Sequence, residues 1–365
     1  MSDDHALLEV DEPSAEVIDR AFGEENRARL LGRYLQTAPL IEPSEAWTHI
    51  YRLLLWVNRT IGLAHCYESD KCQPGKPWYP RSLAFHGWVA SELETTPAEL
   101  SSNIDWLFRH ASEDLAKIVV GASHLDKVQK QRLPYEGKGF PLPGEDPELI
   151  ELVLETLGYW LRETPPTEVQ RVLVERIQTY VTQENKRKNL IGEGFEDAVA
   201  AVLRRVPGLS AGYEILTRPL LHNIGGFNAG PANEKPRQVD LVLRRRSDSL
   251  RILITAKWSV RADREEQFMS DFRDYSRLER LGENFNYVLV TNEFDAARLV
   301  RACERRRENA ELFTDVVHVN PRGPIIAYGN EVKYTRRNAS KMYRYVEDGR
   351  LSSFEAWAAK LVAQA

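Results

Sequence analysis

The chain has 365 residues, 42% hydrophobic and 28% charged, with 49 Lys+Arg against 54 Asp+Glu and a formal net charge of −5. That length holds two domains and a core large enough to need no disulfide or metal staple. Three Cys exclude a disulfide scaffold and fit a reducing cytoplasm. The longest uninterrupted apolar run around residue 55, Leu53–Val57, is far short of the ~20 residues of a membrane span, and the acidic start MSDDHALLEV lacks the layout of a signal peptide.

Charge is unevenly spread. Residues 1–185 carry 18 basic and 30 acidic side chains, and residues 186–365 carry 31 and 24. The basic half points to a polyanionic partner such as nucleic acid.

In chain order, residues 1–185 read as helical. A helix is expected over Glu16–Leu35, and a second after Ser44 as N-cap, with Trp47, Ile50, Leu54, Val57 and Ile61 at helical spacing. Residues 66–83 read as loop, and further helices are expected near His86–Leu93, Pro97–Val120 and Asp146–Arg162. Leu133–Pro147 is a Pro- and Gly-rich loop, and Pro165-Pro166 opens a helix from Thr167 to about Asn185. Lys186-Arg187-Lys188 then reads as a hinge, which divides the chain into an all-α domain, 1–185, and a second domain, 186–365.

The second domain mixes strands and helices. A helix over Gly192–Val206 stops at Pro207-Gly208, and a strand is expected near Tyr213–Thr217. His222–Pro236 is a loop with four Gly or Pro in its first ten residues. Val239–Leu243 and Leu250–Ala256 form a hairpin pattern around Arg244–Ser249. A helix from about Asp263 to Leu281, a strand at Tyr287–Thr291, a helix at Asp295–Arg307 and a strand at Val316–Val319 follow. A small strand near Ile325–Tyr328 and a closing helix, Ser352–Val362, complete an α/β (α+β) core with a mixed central sheet.

Two charged residues stand at the ends of the hairpin strands. Asp240 begins the first and Lys257 ends the second, so the hairpin brings them to one end of the sheet. A charge at the edge of a buried strand is costly unless paired or functional. An Asp for Mg²⁺ and a Lys for the attacking water and the developing phosphorane charge make a phosphodiester-hydrolysing pair. The competing reading is a surface ion pair. A second carboxylate is wanted; Thr255 cannot supply it, and Asp271 on the following helix and Glu196 on the helix from Gly192 can, with Glu193 as a rival to Glu196. His65, Cys66, Cys72 and His86 do not make a zinc motif, because five residues separate the two Cys. No P-loop follows Gly192-Glu193-Gly194, so ATP is not expected.

Asp240, a hairpin, then Thr255-Ala256-Lys257 resembles the motif of the PD-(D/E)xK nucleases, with Val239 in place of the usual Pro and Thr255 in place of the usual Glu. The stretch Lys257-Trp258-Ser259-Val260-Arg261-Ala262-Asp263-Arg264 is similar to the K-x-x-x-R-x-D-R signature of the type II restriction endonucleases that read CCGG. In that subfamily the motif Glu gives way to a small residue and a carboxylate moves to the next helix, the places of Thr255 and Asp271; the relocated residue is usually Glu. Phe195-Glu196 matches the F-E pair of the first core helix.

The resemblance covers about residues 190–320 and implies a restriction-endonuclease-like domain. Asp240, Asp271 and Glu196 would hold Mg²⁺, and Lys257 would serve the water. Arg261 and Arg264 would read guanines and Asp263 cytosines, since a guanidinium fork pairs with guanine O6 and N7 and a carboxylate accepts from cytosine N4. A homodimer or higher even oligomer would cut both strands of a palindrome in double-stranded DNA, leaving 5′ overhangs at CCGG or CCNGG. Residues 1–185 would dimerise or touch flanking DNA. The alternatives are a non-catalytic DNA-binding protein on a decayed nuclease fold and a repair or recombination nuclease without sequence specificity.

Overall fold

The computed structural model describes residues 20–56, 75–129, 154, 166–260, 262–282, 285–308, 310–329 and 337–365. They fall into two compact units, one of residues 1–26 with 110–190 and one of residues 27–109 with 191–365. Residues 27–109 thus belong with the sheet, which the charge boundary at residue 185 does not anticipate. In the first unit Ala21, Phe22, Ala111, Leu115 and Val174 are buried, and the Asn26 amide donates to Ala21 O at 2.7 Å.

Among the described residues of the first 110, the helices are α1 (Glu24–Leu35), α2 (Ala46–Leu54), α3 (Trp78–Glu92) and α4 (Leu100–Asn103), with α5 (Trp106–Gln129) next. Ser44 does not cap α2. Glu45 already has helical dihedrals and takes the cap position without a side-chain bond, so Ser44 lies one residue too early. α3 starts inside the stretch read as loop, because Pro77 sets its first turn. The expected helix at Asp146–Arg162 and the extension of α2 to Val57 and Ile61 lie outside the described residues, as do His65, Cys66 and Cys72.

α6 runs unbroken from Thr167 to Leu203, 37 residues. The expected hinge at Lys186-Arg187-Lys188 is therefore helix. Lys and Arg are good helix formers, and a charge run holds no breaker. Pro207 and Gly208 end this stretch, with Gly208 at φ +84°, and a four-residue α7 (Leu209–Gly212) leads into the sheet.

Among the described residues the main sheet has six strands: β1 (Tyr213–Thr217), β2 (Leu241–Arg245), β3 (Arg251–Lys257), β4 (Asn286–Thr291), β7 (Asp315–His318) and β8 (Leu351–Ser353), in that spatial order. β1, β2 and β3 pair antiparallel; β3, β4, β7 and β8 pair parallel. The short β5 (Arg306–Arg307) and β6 (Ala310–Glu311) form a separate ribbon. Parallel neighbours need crossovers. α8 (Ala262–Leu278) joins β3 to β4, α9 (Ala296–Glu304) precedes β7, and α10 (Arg322–Tyr328) and α11 (Arg337–Glu347) precede β8. α12 (Phe354–Ala363) closes the chain, its N-cap Ser353 accepting from Ala356 N.

The mixed sheet and the hairpin are as expected. The strand expected at Ile325–Tyr328 is instead the helix α10, since Pro321 at its N-cap and Pro324 in its first turn favour a helix start over a ladder. α11 and β8 add to the expected order.

β3 is buried at its first six positions, the pattern of a central strand covered on both faces. Alternate residues serve alternate faces. Val242, Leu253, Tyr287, Leu289 and Val316 pack with Phe268, Phe272 and Tyr275 of α8 and Leu299, Val300 and Cys303 of α9 in one apolar cluster. Asp295 caps α9 by accepting from Ala297 N and Arg298 N. Among the described residues, no helix is long and apolar enough to cross a membrane.

One buried charge ties the loop before β2 to this core. Arg251 is 2% exposed, donates to Glu279 Oε1 at 2.9 Å and lies over the Phe227 ring. Gly226, at φ +96°, passes so close that a Cβ there would collide with the Arg251 guanidinium. Gly226→Ala is therefore expected to lower stability by about 1–3 kcal/mol through backbone strain and this clash, measured by urea unfolding; a variant of unchanged stability would mean that the loop does not rest on Arg251.

Candidate active site

The site lies where the C-terminal end of β3 meets the start of β2. The two strands are antiparallel with Leu241 opposite Ile254, so β3 extends three residues past that pair and presents Thr255, Ala256 and Lys257 to Asp240. Asp240 Oδ2 accepts from Ala256 N at 2.9 Å, Lys257 Nζ at 2.6 Å and Thr255 Oγ1 at 3.2 Å. The backbone of Asp240 is fixed as well, its carbonyl accepting from Arg218 N at 2.9 Å. Side chains of Asp240 and Lys257 are 23% and 19% exposed, half-buried at a sheet edge that solvent reaches. This is the edge at which open α/β sheets bind ligands, outside the carboxyl ends of parallel strands.

Glu196 enters from α6. The apolar face of that helix seats it: Phe195 is fully buried with its ring edge-on to Trp258, the residue after Lys257. Glu196 Oε1 stands 3.9 Å from Lys257 Nζ, and its Oε2 is 3.3 Å from the Arg218 guanidinium. Glu193 points elsewhere, to Arg27 Nη2 at 2.6 Å. Of the two rival acids, then, Glu196 is the one beside Lys257.

Asp271, in the third turn of α8, is near enough to Asp240 and Lys257 for their charges to act on it. Burial first, and the Asp240 charge second, push its carboxyl up to about 6. The same two causes in the same order push Glu196 up to about 8, with Lys257 and Arg218 pulling the other way. Three carboxylates thus share a half-buried edge with Lys257, Arg218 and Arg237 as the cations that act on them, too little positive charge to offset burial and mutual repulsion at Glu196 and Asp271.

The recognition segment is less fully placed. Arg261 lies outside the described residues; Asp263 and Arg264 occupy the first turn of α8, with only their backbone described. The turn into it is anchored by a residue that sequence reading passed over. Glu293, buried just past β4, accepts from Val260 N at 2.7 Å through Oε2 and from Phe294 N and Asp295 N through Oε1. Asn292 next to it donates through its backbone N–H to Trp258 O at 3.0 Å and accepts from the Tyr51 hydroxyl at 2.8 Å. A charged residue two positions beyond the last residue of the β4 strand was the available signal for Glu293, a weaker one than that of Lys257, which ends β3 itself. Arg218 was also missed; no pattern in the sequence announces its backbone at φ +48°.

Among the described residues, no group of three or more His, Cys, Asp or Glu side chains forms a ready-made metal cage. The donor set nonetheless suits a hard divalent cation. Mg²⁺ is commonly held by one or two carboxylates, with waters and substrate phosphates completing its shell. Asp240 and Asp271, with Glu196 near Lys257, are oxygen donors whose mutual repulsion such an ion would relieve.

No family model matches this chain, and neither does any curated protein. Among solved structures, the metal-depleted Ecl18kI in complex with uncleaved, modified DNA is similar at 14% identity, over 93% of this chain and 85% of that one, with a TM-score of 0.30. A likeness that faint decides neither site nor substrate.

The raised carboxyls set a pH dependence. Groups whose folded pKa exceeds the ordinary 3.8 or 4.5 contribute stability that is complete below those values and is lost as pH rises through about 6 and then about 8. The metal-free protein is expected to melt at falling temperature from pH 5 to 8. Glu196→Gln should flatten the upper part of that fall, as read by thermal unfolding across pH; an unaltered slope would remove Glu196 as its source.

Proposed function

We propose that this protein is a Mg²⁺-dependent endonuclease of double-stranded DNA, and in its finer reading a type II restriction enzyme for a palindrome with a CCGG or CCNGG core. One observation carries the proposal: Asp240 and Lys257 meet at 2.6 Å at the end of a central strand, with Glu196 and Asp271 converging on them. The basic balance of residues 186–365 supports a polyanionic substrate.

In this reading Asp240 and Asp271 hold the cation, with Glu196 assisting. A bound Mg²⁺ supplies Lewis-acid charge at the scissile phosphate and lowers the pKa of a water. Lys257, flanked by Asp240 and Glu196, is aimed at the reacting phosphate. There it orients the water and stabilises the charge that builds on the phosphoryl oxygens. Thr255 fills the place of the missing motif acid and spends its hydroxyl on Asp240, orienting that carboxylate. Arg261, Asp263 and Arg264 read the CC and GG base edges, and Glu293 holds the turn at Val260 that precedes them in the chain. A two-fold homodimer, in which each protomer reads half the palindrome, cuts both strands and leaves 5′ overhangs.

Incubation of purified protein with a sequenced plasmid and Mg²⁺, followed by end sequencing, is expected to give discrete fragments with CCGG or CCNGG in the overhang. A smear would remove sequence specificity, and intact plasmid with DNA binding insensitive to EDTA would favour a non-catalytic DNA-binding protein. Lys257→Ala is expected to slow cutting at least about 100-fold while DNA binding in Ca²⁺ stays within a few-fold. Arg261→Ala is expected to lose specific binding. A Lys257→Ala protein that cuts at the wild-type rate would end the site assignment, and an Arg261→Ala protein that still binds its site tightly would end the recognition assignment.

A further inference from the structure

The site is one end of a longer line of alternating charges. From Asp240 and Lys257 the line passes to Glu196, then to Arg218 at 3.3 Å. The other Arg218 terminal nitrogen lies 2.7 Å from Asp197 Oδ1, and Asp197 Oδ2 accepts from Arg27 Nε at 2.7 Å. Arg27 also reaches Glu193. The side chains of Arg27, Asp197, Glu196 and Arg218 are 4, 10, 10 and 13% exposed, so their alignment is made in poor solvent, where a missing partner is expensive.

Arg218 is the joint of this line. It ends the ladder between β1 and β2 and takes φ +48°, a left-handed conformation that a non-glycine residue rarely adopts. That backbone is held from two sides: its N–H donates to Asp240 O at 2.9 Å and its carbonyl accepts from the Gln238 side chain at 2.9 Å. With the backbone so fixed, the guanidinium meets two neighbouring residues of α6, Glu196 and Asp197, with different nitrogens. Asp197 is held in turn by Arg27. Glu196, by contrast, has one short guanidinium contact and a long approach to Lys257.

We propose that Arg218 is a positioning residue: pinned by its strained backbone to Asp240 and by Asp197 to α6, it aims the Glu196 carboxylate at Lys257. The inference rests on the nuclease reading for its rate readout but on geometry alone for its structural one. A lysine at position 218 keeps the charge but cannot bridge two carboxylates as a planar fork does.

The test is a double-mutant cycle on Mg²⁺-dependent plasmid cleavage, paired with crystal structures of the wild type and Arg218→Met. Arg218→Met should slow single-turnover cleavage about 10–100-fold, the range typical of groups that orient those in contact with a metal. Binding of the same DNA in Ca²⁺ should stay within about threefold. In a Glu196→Gln background the same substitution should cost less than about threefold, because the group it aims is already gone. Arg218→Lys should restore part of the rate, and it replaces Arg218→Met throughout if that variant does not fold. In the crystals, Glu196 should lie beside Lys257 in the wild type and turn away in the variant. Losses that multiply in the double variant, or a Glu196 carboxylate that stays in place without Arg218, would overturn the proposal. A wild type that does not cut would overturn the nuclease reading by itself, and the two crystal structures would still decide the role of Arg218.

Discussion

The Asp240 carboxylate is the constraint on which the site depends. Its Oδ2 gathers three donors from the last three residues of β3, and its backbone carbonyl takes a fourth from Arg218. A single side chain thereby fixes where β3 ends relative to β2, which way Lys257 points, and where the chain leaves toward α8. An ion pair on an open surface contributes little. Here the ammonium–carboxylate contact is one bond of a set that includes a backbone amide, and its partners sit at a strand end with little freedom to move away.

Around this centre the sequence places acids in excess and compensates them from a distance. Arg218 bridges Glu196 and Asp197 of α6, and Arg27 takes Asp197 and Glu193, while Lys257 is shared among Asp240, Glu196 and, at longer range, Asp271. A buried carboxylate with too little positive charge nearby keeps its proton. Glu293 shows the other resolution of the same problem. It too is buried and pushed upward by burial, but it is saturated by backbone amides and approached by Arg298 at 3.3 Å, so it serves as a peg under the turn at Val260.

Much of this was legible before the fold was seen. The hairpin of β2 and β3 follows from apolar runs with charged turn residues between them, and the juxtaposition of Asp240 and Lys257 follows from the hairpin. The choice of Glu196 over Glu193 came from the resemblance of Phe195-Glu196 to the F-E pair, not from any spacing in the chain. What stayed hidden depended on long-range packing. Arg27 reads as an ordinary helix cation, yet it is 3% exposed and lies against residues more than 160 positions away. The Lys186–Lys188 run suggested a hinge because charge runs accompany linkers, but the helix propensity of Lys and Arg carried α6 straight through. α10 was misread because Ile325 and Ile326 favour strands locally, whereas the two prolines before them dictate the backbone.

The loop between the single 3₁₀ turn Leu221–Asn223 and β2 is fastened at both feet. Leu221 N donates to Arg237 O, Asn228 N donates to Leu278 O, and Arg280 N donates to Gly226 O. Arg237 and Glu234 add ties to Asp274 and Arg277 of α8. Asp240 hangs from the near foot and Arg251 holds the far one, while the arch between residues 228 and 236 is tied through Glu234 to α8 rather than to the end of β3. Residues could be added, removed or exchanged there at little cost to the bonds that hold Asp240 against the end of β3. The arch is thus a place where the chain can change what it touches while the end of β3 keeps its geometry.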